Sequence, residues 1–125
     1  MLGLVAYGQT PSDAPPDMVT YYIGFLKRNP NAPTLGNEES KKVMDGHMAH
    51  MRKSHAAGAL IVAGPIADKG DLRGILVYKT ATLEEAERWA NQDPAVIAGR
   101  FVLEIHPWLV QKGVLPDAKL IPDAK

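Results

Sequence analysis

The chain has 125 residues, of which 46% are hydrophobic, and this length fits a single domain that buries about two-thirds of its unfolded surface without a disulfide or metal staple. The absence of cysteine excludes a thiol nucleophile, a redox-active dithiol and thiolate metal sites. The 14 basic and 14 acidic residues form no phosphate-neutralising patch, and no apolar run approaches about 20 residues, so we expect neither nucleic acid nor a membrane as a partner.

Residues 1–17 are mildly apolar at first and then rich in proline, and we predict a flexible leader. The segment lacks the basic start and the full apolar core of a working secretion signal. Two interpretations stay open: a leader on a cytoplasmic protein, or the remnant of a signal on a periplasmic or exported one. The compartment is therefore not determined.

The first predicted strand spans residues 18–26 (MVTYYIGFL), whose apolar side chains fall on both faces. After a loop, Asn37 is the predicted N-cap of a helix that ends near residue 57, with Gly58 as its stop. A methionine stripe at i, i+4 and i+7 predicts the buried side of this helix: Met44, Met48 and Met51. Gly46 lies inside it, which indicates either a close approach by another group or a later helix start.

The second half of the chain repeats the pattern of strands followed by a helix. Residues 60–63 and 73–79 predict a hairpin around a turn at 68–71. A capping box (TLEE), from Thr82 to Glu85, predicts the start of a second helix, which ends near Gln92 and has its core stripe at Leu83, Ala86 and Ala90 beside Trp89.

Asp93 and Pro94 predict the N-cap and first position of one further helical turn, which Gly99 stops. Residues 101–107 predict the last strand. The order β-α-β-β-α-β is typical of ferredoxin-like α+β domains, in which both helices cover one face of a four-stranded sheet. The first strand carries apolar residues on both faces, so we predict a partner sheet on the open face and a homodimer or higher oligomer.

The tail contains a near-repeat, LPDAK followed by IPDAK. Two copies of five residues are too few for a solenoid. An extended arm whose Val114, Leu115, Leu120 and Ile121 lie on a neighbouring surface and a frayed end without a role both stay open. The predicted organisation is a leader at 1–17, a domain at 18–108 and a C-terminal arm at 109–125.

Four segments taken together resemble the YciI-like (YCII-related) family: residues 46–51 (GHMAHM), 63–65 (AGP), 93–99 (DPAVIAG) and 106–108 (HPW). The resemblance covers residues 18–108. It implies a ferredoxin-like dimeric α/β barrel. It also implies that His47 and Asp93 form an acid–base dyad in a cleft, with lyase or isomerase chemistry on ring-degradation products.

The residues themselves allow simpler roles. Histidine suits proton transfer because its usual pKa lies near neutrality, but His47 could also be a partly buried histidine with one satisfied hydrogen bond. Asp93 is already explained as an N-cap. In the β-α-β-β-α-β order the loop before the last strand can reach the first helix, which predicts a direct or one-water hydrogen bond between Asp93 and the His47 imidazole.

Four further residues are predicted to line a substrate site: His50, Tyr22, Arg73 and Trp108. Arg73 can pair with a substrate carboxylate, although a solvated charge at the start of a strand is the simpler and favoured explanation. His47 and His50 are spaced at i and i+3, but zinc or iron needs a third ligand and no HExxH motif is present, so we predict neither a metal nor a cofactor.

The function predicted from the sequence is a cofactor-independent lyase or isomerase that uses a His–Asp dyad on an unknown small molecule. The alternative is a non-catalytic module for small-molecule binding or for dimerisation. A cleft around His47 favours the first function or a binding module, and a filled core around it favours dimerisation alone.

Overall fold

The elements follow one another in the predicted order of strands and helices. The computed structural model describes residues 14–116. The elements are β1 (Met18–Arg28), α1 (Asn37–Ala56), β2 (Leu60–Pro65), β3 (Leu72–Tyr78), α2 (Leu83–Asn91), α3 (Pro94–Ile97) and β4 (Phe101–Gln111). The leader up to residue 13 and most of the tail repeat lie outside the described residues.

The four strands form one antiparallel sheet in the order β2-β3-β1-β4. The two central strands are β1 and β3, as predicted. Tyr22 of β1 lies between Tyr78 of β3 and Pro107 of β4. The pairing of β1 with β4 extends over the whole of both strands, so β4 runs to Gln111 and is four residues longer than predicted. This α+β, ferredoxin-like arrangement with its helices on one face confirms the predicted fold.

The two edge strands of the sheet are both irregular. The pairing of β2 with β3 shifts between Leu60 and Val62, which is the mark of a β-bulge, and β2 ends at Pro65. The other edge strand, β4, carries Pro107 within it. Proline has no backbone N–H and is tolerated in sheets mainly at edges, which agrees with both positions.

Local side-chain chemistry sets the ends of the helices. Thr82 Oγ1 accepts from the N–H of Glu85 (3.1 Å), and Glu85 Oε2 accepts from the N–H of Ala81 (3.2 Å). The capping box therefore forms as predicted, except that the glutamate side chain bonds the N–H of the residue before the N-cap. The N-cap of α1 was predicted wrongly: it is Gly36, which is extended and offers no side chain, and Asn37 is already helical.

The core on the helix side contains nine buried hydrophobic residues: Tyr22, Leu26, Met51, Ala59, Leu60, Leu76, Tyr78, Ala86 and Ala90. Ala86 and Ala90 belong to the predicted stripe of α2, whose other members Leu83 and Trp89 pack at its edge. The prediction that the methionine stripe marks the buried side of α1 is wrong in part. Met51 is buried, but Met48 is 50% exposed, and the other buried residues of α1 are His50 and Ser54.

The contact between α1 and α3 explains this rotation of the helix. α1 is continuous through Gly46, and a Cβ at that position would lie 3.0 Å from Cγ of Pro94. A side chain at this position would push Pro94 away by a few tenths of an ångström, so glycine favours the close approach of α3. The face of α1 that carries Gly46, His47 and His50 is therefore turned inward, and Met48 is turned to solvent.

A second apolar cluster lies on the opposite face of the sheet, which we call the open face. Its buried members are Tyr21, Ile61, Val77 and Val110, and Val19, Ile23, Ile75 and Leu115 pack against them. Val62, Val102 and Trp108 lie on the same face and are exposed. Leu115, for which an extended arm and a frayed end were both open, packs on its own chain, whereas Leu120 and Ile121 lie outside the described residues.

Candidate active site

The predicted hydrogen bond between the first helix and the turn before the last strand is direct. Nδ1 of His47 lies 2.6 Å from Oδ2 of Asp93. A carboxylate can only accept, so Nδ1 carries the proton and Nε2 is left with its lone pair in the neutral ring. The contact thus selects the tautomer in which the outer nitrogen of His47 is the basic one.

Asp93 is held from its other oxygen as well. Oδ1 accepts from the N–H of Ala95 (2.9 Å), which is the N-cap bond of α3, and the residue is only 1% exposed. The capping and orienting roles, which the sequence left as alternatives, are compatible because each uses a different oxygen. Because both oxygens accept hydrogen bonds, the carboxylate is held in one orientation, and its bond to Nδ1 in turn fixes the orientation of the imidazole.

The position of the pair follows from its neighbours in sequence. Gly46 precedes His47 and Pro94 follows Asp93, and these two residues pack directly against each other. The close approach that Gly46 permits therefore brings the side chains of His47 and Asp93 together.

His47 lies at the margin of the core rather than inside it. Its side chain is 13% exposed, and the ring of Phe101 meets it edge-on with centroids 6.0 Å apart. Among residues 14–116, Nε2 of His47 has no hydrogen-bond partner in the protein. Asp93 and Phe101 thus fix the ring of His47, and its Nε2 makes no hydrogen bond within the described part of the chain.

Tyr78 adds a buried phenol near the carboxylate. Burial first, and the negative charge of Asp93 second, raise the pKa of Tyr78 far above that of an ordinary phenol. Its hydroxyl is buried without a hydrogen-bond partner among the described residues, as is that of Thr20 on the same side of the sheet. Tyr78 therefore stays protonated and neutral at physiological pH.

The four other predicted site residues do not converge on this pair. Nε2 of His50 donates to the carbonyl of Trp89 (2.7 Å) and joins α1 to α2, and Tyr22 is fully buried in the core. Arg73 reaches the backbone carbonyls of Asp68 and Gly70 in the hairpin turn. Trp108 lies on the open face, where it is paired with Tyr21 and separated from His47 by the sheet.

Two clefts occur on the surface near α3. One, of about 360 Å³, lies between α2, α3 and β4 and includes Val96, Leu103 and Ile105 in its lining. The other, of about 220 Å³, includes Ser40 and Arg100. Sequence reasoning missed these last two residues, because Ser40 is an ordinary helix residue and Arg100 follows a glycine stop without any motif.

No group of three histidine, aspartate or glutamate side chains converges as a metal site within residues 14–116. None of the helices in that range is both long and apolar enough to cross a bilayer. The predicted absence of a metal and a cofactor stays a prediction.

Comparisons with known proteins agree with this architecture. The model of the YCII-related domain matches residues 20–109. The solved structure of 5-chloro-2-hydroxyhydroquinone dehydrochlorinase (TftG) from Burkholderia phenoliruptrix AC1100, in complex with 2,5-dihydroxybenzoquinone, matches with a TM-score of 0.54 at 20% identity over 70% of this chain and 92% of that chain.

A second structure, protein Atu4242 from Agrobacterium tumefaciens, matches with a TM-score of 0.42 at 15% identity over 78% of this chain and 98% of that one. No curated protein matches the chain. At this identity the dehydrochlorinase shows a shared fold. The family model covers most of the chain, including both His47 and Asp93, and the protein belongs to the YCII-related domain family.

Proposed function

We propose that the protein is a cofactor-independent lyase or isomerase that moves a proton on a small molecule, with His47 as the general base. The observation that carries the proposal is the 2.6 Å hydrogen bond from His47 Nδ1 to the buried carboxylate of Asp93, whose other oxygen accepts a second hydrogen bond. A base whose tautomer is fixed by a second group is the arrangement that proton-transfer catalysis needs.

In the proposed step, Nε2 of His47 removes a proton from an acidic C–H or O–H of the substrate. The imidazolium that forms is stabilised by the negative charge of Asp93. In an elimination, the electron pair left behind forms a double bond and the leaving group departs with its own bonding pair, so the substrate loses a proton and an anion. In an isomerisation, His47 returns the proton to a different atom of the same molecule.

Hydroxylated six-membered rings are the substrates we propose to test first. Their hydroxyl protons are acidic enough for a histidine base, and they need no external oxidant to eliminate an anion. The fold neighbour named above acts on a chlorinated hydroxyhydroquinone and was solved with a dihydroxybenzoquinone, which supports the choice of ring.

We also propose that the protein is a homodimer that packs its open faces together. Val62 and Trp108 are 43% and 39% exposed there, next to the buried cluster of Tyr21 and Val77. An apolar patch of this kind on one side of a sheet is typical of an interface.

The test is a thermal-shift screen of hydroxylated benzoquinones and chlorinated hydroquinones, each with and without a ring carboxylate, followed by assays of chloride release and of product absorbance. With a ligand found in this way, we expect His47→Gln to reduce turnover by about 10²- to 10⁴-fold. His106→Gln is the matched control, because His106 is an exposed histidine on β4.

Turnover that survives His47→Gln would refute the catalytic role. A ligand that raises the melting temperature but is never converted would support the binding module instead, since binding to the native state alone stabilises it.

A further inference from the structure

The smaller of the two clefts has basic but no acidic side chains in its lining. It lies between the loop after β1, the first turns of α1 and the segment after α3, and two arginines line it, Arg28 and Arg100. Arg28 already pairs with Asp71, whose Oδ1 accepts at 3.0 and 3.2 Å. Within residues 14–116, the only side chain to which Arg100 donates is Ser40, at 3.0 Å from its hydroxyl, and Arg100 forms no ion pair with a carboxylate.

Two hydrogen bonds from Asn29, one from its side chain and one from its backbone, join the walls of this cleft. Nδ2 of Asn29 donates to the carbonyl of Gly99 (2.8 Å), and the N–H of Asn29 donates to the carbonyl of Arg100 (3.2 Å). Gly99 has a positive φ of 75°, and a Cβ there would lie 3.5 Å from Cδ of Pro33. The loop is therefore docked on the turn before β4, and the cleft is formed before any ligand arrives.

The cleft and the His47–Asp93 pair share the same elements. Ser40 and His47 lie seven residues apart on α1, which places them on one side of the helix about 10 Å apart. Arg100 is followed by Phe101, whose ring contacts His47. His47 is not among the residues that line either cleft, so a ligand held at Arg100 has to extend out of the smaller cleft along α1 to reach the imidazole.

We propose that Arg100, with Ser40 and Arg28, binds a carboxylate of the substrate and directs the rest of the molecule toward His47. This inference rests on the proposed function. Arginine offers a planar fork of donors that matches a carboxylate, and Ser40 supplies a hydroxyl beside it. At about 220 Å³ the cleft is smaller than pockets that enclose a whole ligand, which are about 300–1,000 Å³, so it holds the acidic end of a small molecule.

The test uses simple probes and needs no turnover. Benzoate, its uncharged analogue benzamide and inorganic phosphate are each titrated into ¹⁵N-labelled protein, and the amide signals of Ser40, Ala98 and Arg100 are followed. We expect benzoate to shift these signals and benzamide not to. Arg100→Gln should weaken benzoate binding by roughly tenfold or more, since a charge-assisted hydrogen bond is lost. Arg52→Gln, which removes an exposed arginine of α1, should leave the binding unchanged.

Two results would overturn the assignment: benzoate shifts that persist in Arg100→Gln, or binding of phosphate in place of benzoate. The same titration in Asp93→Asn separates this inference from the proposed function. If Asp93→Asn still binds benzoate, the cleft is supported whether or not the enzyme turns over. If the wild-type protein does not bind benzoate, the cleft is refuted, and the His47–Asp93 pair is tested separately by the turnover assay.

Discussion

The two faces of the sheet are built from the same strands but differ in what they bury. On the helix side, apolar residues surround a set of buried polar groups: Thr20, His50, Ser54, Tyr78 and Asp93. The buried cluster of the open face contains no charged group and only the tyrosine hydroxyl of Tyr21. The polar groups on the helix side fix the orientation of specific side chains, whereas the open face presents an apolar surface.

The charged groups of the open face lie toward its margin. Lys27 Nζ pairs with Glu104 Oε2 at 2.9 Å, and His106 approaches the other oxygen of the same carboxylate. The adjacent Lys27, and to a lesser degree His106, hold the pKa of Glu104 below its usual range. These groups are solvated, so they contribute little to the free energy of folding but can select the orientation of a partner.

The comparison can be tested most strongly on β2, which carries a buried residue on the helix side and an exposed residue on the open face. Leu60 is buried under the helices, and Val62 is exposed on the open face. We expect Leu60→Ala to lower the free energy of unfolding by about 2–5 kcal/mol, because it leaves a cavity. Val62→Ala should cost less than about 1 kcal/mol. Urea unfolding at low protein concentration measures both, and equal costs would contradict the difference between the faces.

The next largest effect is expected at Asp93. Asp93→Ala removes the cap of α3 and the partner of His47, and should destabilise the protein by about 2–3 kcal/mol. Asp93→Asn keeps an oxygen for the N–H of Ala95 and should cost about 1 kcal/mol.

Asp93→Asn also tests the orienting role without removing the cap. Its amide group would donate to His47 and move the ring proton from Nδ1 to Nε2. The ¹⁵N shifts of His47 report the tautomer, and an unchanged tautomer in Asp93→Asn would show that Asp93 acts as a cap alone.

A smaller effect is expected from a charge placed on the open face. Trp108→Lys should raise the dissociation constant of the dimer by about 10- to 100-fold, because a desolvated aromatic contact is replaced by a cation. Ile97→Lys is the control, since Ile97 is an exposed apolar residue on α3. Light scattering over a dilution series provides the measurement. A wild-type chain that is monomeric at micromolar concentration would refute the dimer.

The smallest effect is expected at Tyr78. Because its hydroxyl is buried without a hydrogen-bond partner in the described range 14–116, Tyr78→Phe should stabilise the protein by about 0.5–1 kcal/mol at neutral pH. The folded-state pKa is raised, so above the ordinary pKa of tyrosine the unfolded chain loses a proton that the folded chain keeps, and stability falls as the pH rises.

This alkaline loss should be smaller in Tyr78→Phe than in wild type. Unfolding curves at neutral pH and at pH values above the ordinary tyrosine pKa measure the difference. Identical pH dependence in the two proteins would mean that Tyr78 is not the group responsible.

Local signals in the sequence were enough for the fold. The capping box at Thr82, the Asp93–Pro94 turn and the alternation along β1 depend only on neighbouring residues, and each is present in the structure. The contact of His47 with Asp93 was predicted with the help of the family resemblance, which singled out the two residues, and of the strand order, which brings the last turn next to the first helix.

The errors concern features that depend on distant contacts. The inward face of α1 is set by Pro94 against Gly46, so periodicity within the helix pointed to Met48 instead of His50. The cleft at Arg100 exists because Asn29 docks a loop on Gly99, 70 residues further along the chain. No pattern within a single segment predicts such a docking.

The irregular edge strands have a consequence for how the molecule behaves at high concentration. A flat, regular edge beside an apolar face would invite further strands to join and grow into fibrils. The bulge between Leu60 and Val62 and the prolines at Pro65 and Pro107 make both edges poor templates for such growth. We therefore expect the protein to form closed assemblies of fixed size and to resist open-ended polymerisation.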